Sequence, residues 1–280
     1  MRSPNSERPP YALTIASSDS SGGAGIQADL KTMTRMGVYG GSVVVASTAQ
    51  NTRGVESTYV LPPEEIRAQF DAVTADIDVD AVKLGMLATE AAIRTVDDRL
   101  ADYDGPVVVD PVMVATSGDR LLDADAVDAY TDLFERATLL TPNADETEAL
   151  TGVWPDGPDA REQAADQFFE WGTDAVLFKG GHLASDSDTV RDVLLTPSDR
   201  TTVTADRVDT DHTHGSGCTL ASAVASGLAQ GNDLQRAVAD GVSFVHSALA
   251  RPADVGANGS VNHLVDGEGP LDAVDRVTEP

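Results

Sequence analysis

Short apolar runs alternate with amphipathic segments along most of this chain. Residues 11–17, 80–85, 105–111, 137–142 and 174–180 have the length and β-branched content of buried strands. The segments between these runs carry apolar residues at the three-to-four-residue spacing of helices, over about ten to fifteen residues each. Strands that alternate with such helices predict an α/β fold, with a mostly parallel central sheet and helices on both faces.

Other segments refine this pattern. Residues 41–48 and 55–61 are β-rich runs joined by a short polar connection, and residues 189–196 and 201–208 have the pattern of a hairpin. The last third reads as two helices, rich in small residues and separated by Gly-Asn-Asp. In a mostly parallel sheet the ligand sits at the carboxyl ends of the strands, so the strand ends are where we look for chemistry.

Length and composition favour one domain. The chain has 280 residues, 41% of them hydrophobic, and an undivided α/β domain commonly reaches this size. We predict a flexible tail over residues 1–10, a single domain over residues 11–264 and an acidic C-terminal tail over residues 265–280. One cysteine excludes an internal disulfide, the first residues lack a signal-peptide core, and the apolar runs are too short to span a bilayer. The expected location is the cytoplasm, with no membrane partner.

The charge of the chain is strongly negative. A net charge of −27, from 46 acidic and 19 basic residues, predicts a surface that repels nucleic acid. The chain has three lysines, Lys31, Lys83 and Lys179, and the other basic residues are arginines. This composition is typical of a halophilic protein, in which molar salt screens self-repulsion. If surface lysines are disfavoured, the three that remain are candidates for functional roles.

Several polar residues follow predicted strands. Asp110 ends the most apolar strand and could hold Mg²⁺ or cap a loop. Glu146 lies at a strand-to-helix turn, where it could serve a metal, but helix capping is a strong alternative because an acidic residue suits a helix start in any case. Lys179 follows another strand and could meet a phosphate. The glycine-rich stretch at residues 17–32 has neither dinucleotide-binding nor Walker A spacing. Each motif alone is weak, but they converge on strand ends.

The stretch HGSGC, residues 214–218, is the most specific motif. Gly215 and Gly217 allow a tight turn, and the unpaired N–H groups that follow them, starting at Ser216, form an anion hole suited to a phosphoryl group. At this helix start the Cys218 thiolate is expected to be favoured, which makes it a candidate base. The alternative is a buried cysteine that acts as a small hydrophobe. A zinc site is excluded because there is no second cysteine.

Together these motifs resemble a known family. ALTIASSDSSGGAGIQADLKT, STAQNTRGV, KLGMLA, VVVDPVMVATSGD, LLTPNADE, LFKGGH and THGSGCTLASA occur in the order and spacing of the hydroxymethylpyrimidine and hydroxymethylpyrimidine-phosphate kinases of thiamine synthesis. The resemblance covers roughly residues 11–264. It implies a ribokinase-like fold with a small β lid, and an enzyme that phosphorylates an aminopyrimidine and its monophosphate with ATP and Mg²⁺. The expected assembly is a homodimer.

The resemblance also implies roles for individual residues. Asp29, Gln50 and Met86 would form the aminopyrimidine pocket. The implied phosphate and Mg²⁺ region contains Lys179, Asp110 and Glu146, and the implied anion hole contains Gly215, Ser216, Gly217 and Cys218. Lys179, Gly215 and Gly217 would act with Cys218 in catalysis.

The chain departs from the family pattern at three places. ASSDS replaces an Ala-Gly stretch, His212 replaces an asparagine, and GANGSVNHL stands where Gly-Pro-Val is common. The first two departures leave substrate specificity open. Three alternatives therefore remain: a pyridoxal or pyridoxine kinase, a pyrimidine-binding sensor without activity, and an NAD-dependent enzyme, which the glycine spacing disfavours.

Overall fold

The computed structural model describes residues 8–113, 126–181, 188–265 and 274–279. The strands in these residues are β1 Tyr11–Asp19, β2 Tyr39–Asn51, β3 Gly54–Val60, β4 Ala81–Leu84, β5 Val107–Val109, β6 Leu139–Leu140, β7 Val176–Phe178, β8 Thr189–Leu195, β9 Arg200–Asp206 and β10 Val274–Glu279. The helices are α1 Gly25–Arg35, α2 Pro63–Thr74, α3 Glu90–Leu100, α4 Val127–Phe134, α5 Ala144–Thr151, α6 Pro158–Glu170, α7 Ser216–Ala229 and α8 Leu234–Ala250. In this described part of the chain, none of the helices combines the length and apolarity that crossing a membrane requires.

All ten strands form one sheet, in the order β10-β9-β8-β7-β6-β5-β4-β1-β2-β3. The six central strands, from β7 to β2, run parallel, whereas β3 and β8 to β10 are antiparallel additions at the two edges. This confirms the predicted α/β architecture and the predicted 189–208 hairpin. The β2–β3 ribbon, which continues past the end of β1, fits the small β lid that the family resemblance implies.

Alternating residues of β5 show why helices cover both faces of the sheet. Val107 and Val109 belong to a core shared with α2, α3, α4 and α6. Val108, between them, packs instead in the core formed by α7 and α8. Because successive side chains of a strand point to opposite faces, a strand that is apolar at every position needs cover on both sides.

Small residues let α7 and α8 pack closely. A Cβ built on Gly227 would lie 2.9 Å from the Cβ of Ala237, and one on Gly241 would lie 3.0 Å from Val224. Larger residues would force the helices apart. This packing places the first turn of α7 over the centre of the sheet, where α7 contacts β1, β4 and β5.

The ends of the chain differ from the predicted tails. Residues 274–279, predicted to be loose, form β10 and pair antiparallel with β9. The physical reason is that β9 would otherwise present an unpaired row of backbone donors and acceptors. Near the N-terminus, the Pro10 carbonyl accepts a hydrogen bond from Tyr39 N at 2.9 Å, and Arg8 Nη2 lies 3.1 Å from Asp80 Oδ1. The rest of the predicted tail, residues 1–7, lies outside the described residues.

Candidate active site

A pocket of about 880 Å³ runs along the carboxyl edge of the parallel strands. Its lining begins at the β8–β9 hairpin, passes the ends of β7, β6 and β5, and reaches β1 and β2. This volume lies in the usual range of small-molecule sites. The position agrees with the expectation that strand ends carry the chemistry.

Asp110, Lys179 and Glu146 form a charged centre in the middle of the pocket. Lys179 Nζ donates a hydrogen bond to Asp110 Oδ1 at 3.0 Å and lies 3.9 Å from Glu146 Oε2. Thr141 Oγ1 donates to the same Asp110 oxygen at 3.1 Å. Burial lowers the pKa of Lys179, but Asp110 and Glu146 outweigh that effect and raise it, so the ammonium stays charged. The three residues predicted at separate strand ends are therefore brought together.

Glu146 serves as both a helix cap and a pocket residue. Asn143 and Glu146 make a reciprocal capping box at the start of α5, with Glu146 Oε2 accepting from Asn143 N at 2.8 Å. Burial raises the pKa of Glu146 to about 7, and the nearby Asp110 charge adds to this against the opposing effect of Lys179. Helix capping and a role in the pocket, the two interpretations of Glu146 from the sequence, are thus compatible.

The first turn of α7 faces this charged centre. Gly215 precedes the helix with φ of +82°, and a Cβ there would lie 1.9 Å from the Gly23 carbonyl oxygen. A Cβ on Gly217 would lie 3.4 Å from both Asp110 Oδ2 and Lys179 Nζ, so glycine keeps this space open. Ser216 N already donates to Thr213 O at 3.0 Å. The amides of Gly217 and Cys218 have no carbonyl four residues back in the helix and remain the best donors for an anion.

Cys218 lines the pocket beside this turn, but its ionisation differs from the prediction. Burial raises the pKa of the thiol to about 11, and the carboxylates of Asp29 and Asp110 add to the increase against the effect of Lys83. The expectation that the thiolate is favoured is therefore wrong, because the pKa lies above that of an ordinary cysteine. The helix start favours an anion, but desolvation and two nearby negative charges outweigh it.

Gln50 and Met86 both line the pocket at its β1–β2 end, and their predicted binding of the ring stays a prediction. Thr48 Oγ1 donates to the Ser18 carbonyl oxygen at 2.8 Å and lies 3.0 Å from the side-chain amide of Gln50, a contact that helps to fix the amide group. The Met86 carbonyl accepts from Ser17 N and Ser17 Oγ at 3.1 and 2.9 Å. A fixed amide beside a thioether suits a flat, polar-edged ring.

Asp29 does not line this pocket among the described residues, so its predicted role in binding the ring is corrected. The carboxylate is fully buried and pairs with Lys83 Nζ at 2.9 and 3.0 Å. Thr14 and Ser222 donate further hydrogen bonds to it. Four hydrogen bonds already occupy its two oxygens, and a buried ion pair needs this satisfaction to persist. Asp29 therefore supports the site from within the core.

Asp19 and His214 are pocket residues that the sequence analysis did not single out. Asp19 Oδ2 lies 3.1 Å from His214 Nε2 and accepts from the amides of Gly23 and Ala24 at 3.0 and 2.8 Å. Burial alone would raise the pKa of Asp19, but hydrogen bonds from His214, Ser21 and Ala24 hold it well below its usual range. An aspartate at a strand end before Ser-Ser-Gly-Gly is the pattern that could have revealed this arrangement. The ASSDS departure thus lies at the pocket, where Ser17, Ser18 and Asp19 line the wall.

The opposite end of the pocket combines an apolar wall with the polar residues Asp192, Asp206, Arg207 and Thr210, and it was also missed. Its wall is built from β8, the end of β9, and helices α7 and α8. The apolar lining residues there are Val190, Ala205, Val208, Leu220, Val242, Val245 and Leu249. No sequence motif marks this wall, because ordinary core residues of four elements compose it.

The charged centre is suited to a magnesium ion that arrives with a nucleotide. Within the described residues, no group of three or more His, Cys, Asp or Glu side chains could hold a metal by itself. Asp110 and Glu146 nevertheless supply two carboxylates within 4 Å of one ammonium. Burial, more than the Asp110 charge, raises the pKa of Glu146, and a second cation beside these carboxylates would oppose both effects. Mg²⁺ is bound by one or two carboxylates plus substrate phosphates in many kinases, so these residues fit it.

Comparisons with known proteins agree with this geometry. The family model described as phosphomethylpyrimidine kinase matches residues 19–262. A hydroxymethylpyrimidine/phosphomethylpyrimidine kinase of Streptomyces coelicolor is 47% identical over 257 residues, which cover 91% of this chain and 94% of that protein.

Solved structures show the same similarity. The pyridoxal kinase of Staphylococcus aureus in complex with ADP superposes with a TM-score of 0.84 at 31% identity, over 96% of this chain and 98% of that one. A phosphomethylpyrimidine kinase of Clostridium difficile gives a TM-score of 0.75 at 38% identity, over 85% and 99%. With its ribokinase-like fold, this chain belongs to the phosphomethylpyrimidine kinase family of phosphotransferases.

Proposed function

We propose that the protein uses MgATP to phosphorylate 4-amino-5-hydroxymethyl-2-methylpyrimidine, here called the pyrimidine alcohol, and then its monophosphate. The product is the diphosphate used to build thiamine. The observation that carries this proposal is the charged centre of Asp110, Lys179 and Glu146 facing the first turn of α7. It lies between a polar pocket end suited to a small ring and an end whose apolar wall suits a nucleotide base.

In the first step, the hydroxymethyl oxygen attacks the γ-phosphorus of ATP, ADP leaves, and the hydroxyl proton passes to the Cys218 thiolate, the candidate base. In the second step, an ionised phosphate oxygen of the monophosphate attacks the γ-phosphorus of a second ATP, a second ADP leaves, and no hydroxyl proton is removed. Such transfers depend mainly on positioning and charge stabilisation. Lys179 and the amides of Gly217 and Cys218 face the transferred group, and Gln50 and Met86 hold the ring. When bound through Asp110 and Glu146, Mg²⁺ supplies neutralising positive charge to the phosphates.

The test is to incubate the protein with MgATP and the pyrimidine alcohol and to follow the mono- and diphosphate separately. We expect both products in sequence. Lys179→Gln should slow both steps by about 10²-fold or more, because a preorganised cation is lost. Arg94→Gln, which removes an exposed cation far from the pocket, is the matched control. If ATP is not consumed when the pyrimidine alcohol is present, the protein is a binding protein such as a sensor.

A pyridoxal kinase activity is the second candidate. The observation that favours it is the higher TM-score with the Staphylococcus aureus pyridoxal kinase than with the Clostridium difficile kinase. Comparing kcat/KM for pyridoxal and for the pyrimidine alcohol separates the two. A larger value for pyridoxal would replace the main proposal.

Substitutions at Gln50 and Met86 test the substrate end. Gln50→Ala should remove a fixed hydrogen-bonding group and weaken binding of both pyrimidine substrates by about 1–3 kcal/mol. Met86→Ala should also weaken binding, because packing on the ring is lost. Both effects should appear in KM for the pyrimidine, while KM for ATP is unchanged. Normal pyrimidine affinity in both variants would place the ring elsewhere.

We further propose that the protein acts as a homodimer in the cytoplasm. Support for the dimer is the outer edge of β3, the last strand of the sheet, where Tyr59 is 69% exposed. The requirement for MgATP supports the location. Sedimentation equilibrium should give twice the mass of the chain, and a single-chain mass would contradict the dimer.

A further inference from the structure

His246 places a buried, unpartnered nitrogen in the wall of the pocket. The residue lies on α8, four residues before the end of that helix, and lines the pocket. Its Nε2 atom is inaccessible to solvent and has no hydrogen-bond partner among the described residues. A buried polar atom without a partner costs free energy, so such an atom in a pocket wall is a candidate for contact with a ligand.

The surroundings of His246 indicate the kind of ligand. Val242, Val245 and Leu249, also on α8, line the same pocket, and Val190 and Ala205 pair across the β8–β9 hairpin near it. Apolar walls of this kind favour a flat aromatic ring, and one polar atom among them fixes the orientation of that ring.

The position of His246 in the pocket separates it from the pyrimidine end. In the sheet order, β8 and β9 lie on one side of β7, β6 and β5, whose ends carry Lys179, Glu146 and Asp110. Gln50 and Met86 lie on the other side of that charged centre, at β2 and after β4. A nucleotide whose phosphates occupy the charged centre would therefore place its base toward α8.

We propose that His246 is a specificity-determining residue whose imidazole turns toward the pocket when the nucleotide binds and then hydrogen-bonds the base through Nε2. The base is a purine, because a two-ring heterocycle fills an apolar slot and still presents ring nitrogens at its edge. This inference rests on the proposed function, since it assumes that the phosphate donor is a purine nucleotide. Nothing else in the mechanism uses His246.

The experiment measures equilibrium binding of ADP to the whole protein by calorimetry, which needs no catalysis. His246→Phe keeps an aromatic ring but removes the hydrogen bond, and we expect it to weaken ADP binding about tenfold, or about 1.4 kcal/mol. His246→Gln retains a hydrogen-bonding group and should recover part of the loss. Inorganic tripolyphosphate, which has no base, should bind the wild type and both variants equally.

His212→Asn is the matched control. His212 also has a buried, unpartnered nitrogen, Nδ1, but it is not one of the described residues that line the pocket. This variant should bind ADP like the wild type. A thermal melt checks that each variant is folded, and His246→Leu, which also lacks a hydrogen-bonding group, serves as the test if His246→Phe is not.

The outcomes separate the two proposals. ADP binding by folded His246→Phe and His246→Gln within twofold of the wild type overturns the role of His246 alone. An equal loss of tripolyphosphate affinity overturns it too, because the effect would not involve the base. If the wild type itself does not bind ADP, the proposed ATP-dependent function fails together with this inference.

Discussion

If Glu146 holds Mg²⁺ as proposed, the protonation state of its carboxyl group controls metal binding. Burial, together with the nearby Asp110 charge, raises the pKa of this carboxyl group to about 7. Below that pH the group is protonated and neutral, and a proton must leave before Mg²⁺ can bind the carboxylate. Raising the pH through 7 therefore strengthens magnesium binding.

We predict that the apparent affinity for Mg²⁺ rises up to about tenfold per pH unit below pH 7 and levels off above it. Magnesium titrations of the initial rate between about pH 6 and pH 8 measure this dependence. Glu146→Gln should bind Mg²⁺ weakly and lack the dependence beyond that of the nucleotide itself. Equal pH profiles of the variant and the wild type would show that Glu146 does not hold the metal.

Cys218 gives a second pH prediction. If the thiolate removes the hydroxymethyl proton, a pKa raised by burial to about 11 means that little thiolate exists at neutral pH. The first phosphorylation should then accelerate up to about tenfold per pH unit between pH 7 and pH 9. The second step should stay nearly constant, since its phosphate oxygen is already ionised.

Single-turnover kinetics of each step with purified substrates give the measurement. Cys218→Ala should remove the pH dependence of the first step and slow that step more than the second. Cys218→Asp should hinder the second step, because a carboxylate would join Asp29 and Asp110 near the incoming phosphate. Equal losses in both steps for the alanine variant would mean that Cys218 only shapes the anion hole.

At the scale of elements, the turn before α7 depends on Gly215. Its positive φ disfavours other residues, and a Cβ would lie 1.9 Å from the backbone oxygen of Gly23. That contact cannot be relieved by a side-chain movement, so the glycine-rich loop after β1 and the anion-binding turn must separate. The Asp19–His214 contact, which links the same two segments, would be disturbed with them.

Gly215→Ala is therefore expected to lower the melting temperature and to reduce both phosphorylation rates by about 10²-fold or more. Gly152→Ala is the matched control: this glycine ends α5 with φ of +72°, but no atom lies within 4 Å of its added Cβ. The control should cost only about 1–2 kcal/mol of stability, from the left-handed conformation, and should keep its activity. Similar behaviour of the two variants would show that the contact with Gly23 is unimportant.

At the scale of the whole molecule, the net charge of −27 dominates. All three lysines are engaged: Lys83 pairs with Asp29, Lys179 pairs with Asp110, and Lys31 donates to the Gly22 carbonyl at 2.6 Å. Exposed arginines form surface ion pairs such as Arg94–Glu90 and Arg236–Asp240, which contribute little stability each. Repulsion among the remaining carboxylates is therefore expected to outweigh these pairs in dilute buffer.

We predict that the melting temperature rises between low salt and about 2 M KCl, because the Debye length falls to a few ångströms and screens this repulsion. Thermal melts monitored by circular dichroism at several KCl concentrations give the measurement. Sucrose at equal osmolality is the control, because it stabilises proteins by being excluded from their surface but does not screen charges. A melting temperature that is constant or falls with KCl would contradict the halophilic interpretation.

The sequence by itself determined the layered α/β architecture and the edge of the sheet that carries the site. These features are encoded locally. A reader of the sequence can recognise continuous apolar runs, glycines at tight turns and polar residues directly after strands. Asp110 and Lys179 could be placed in this way, because parallel strands bring their carboxyl ends to a common edge. Strand β10 was not predicted, because it is stabilised by pairing with β9, which lies 68 residues or more earlier in the chain.

The ion-pair partners and the pKa values of the buried polar residues could be known only from the folded structure. Asp29 lies on a helix motif that resembles a ligand site, yet Lys83, 54 residues away, and Ser222, 193 residues away, take up its oxygens. The pKa of Cys218 rises rather than falls because burial and two distant carboxylates outweigh its position in the helix. Desolvation and charge coupling depend on distances between residues far apart in sequence, and those distances exist only after the chain has folded.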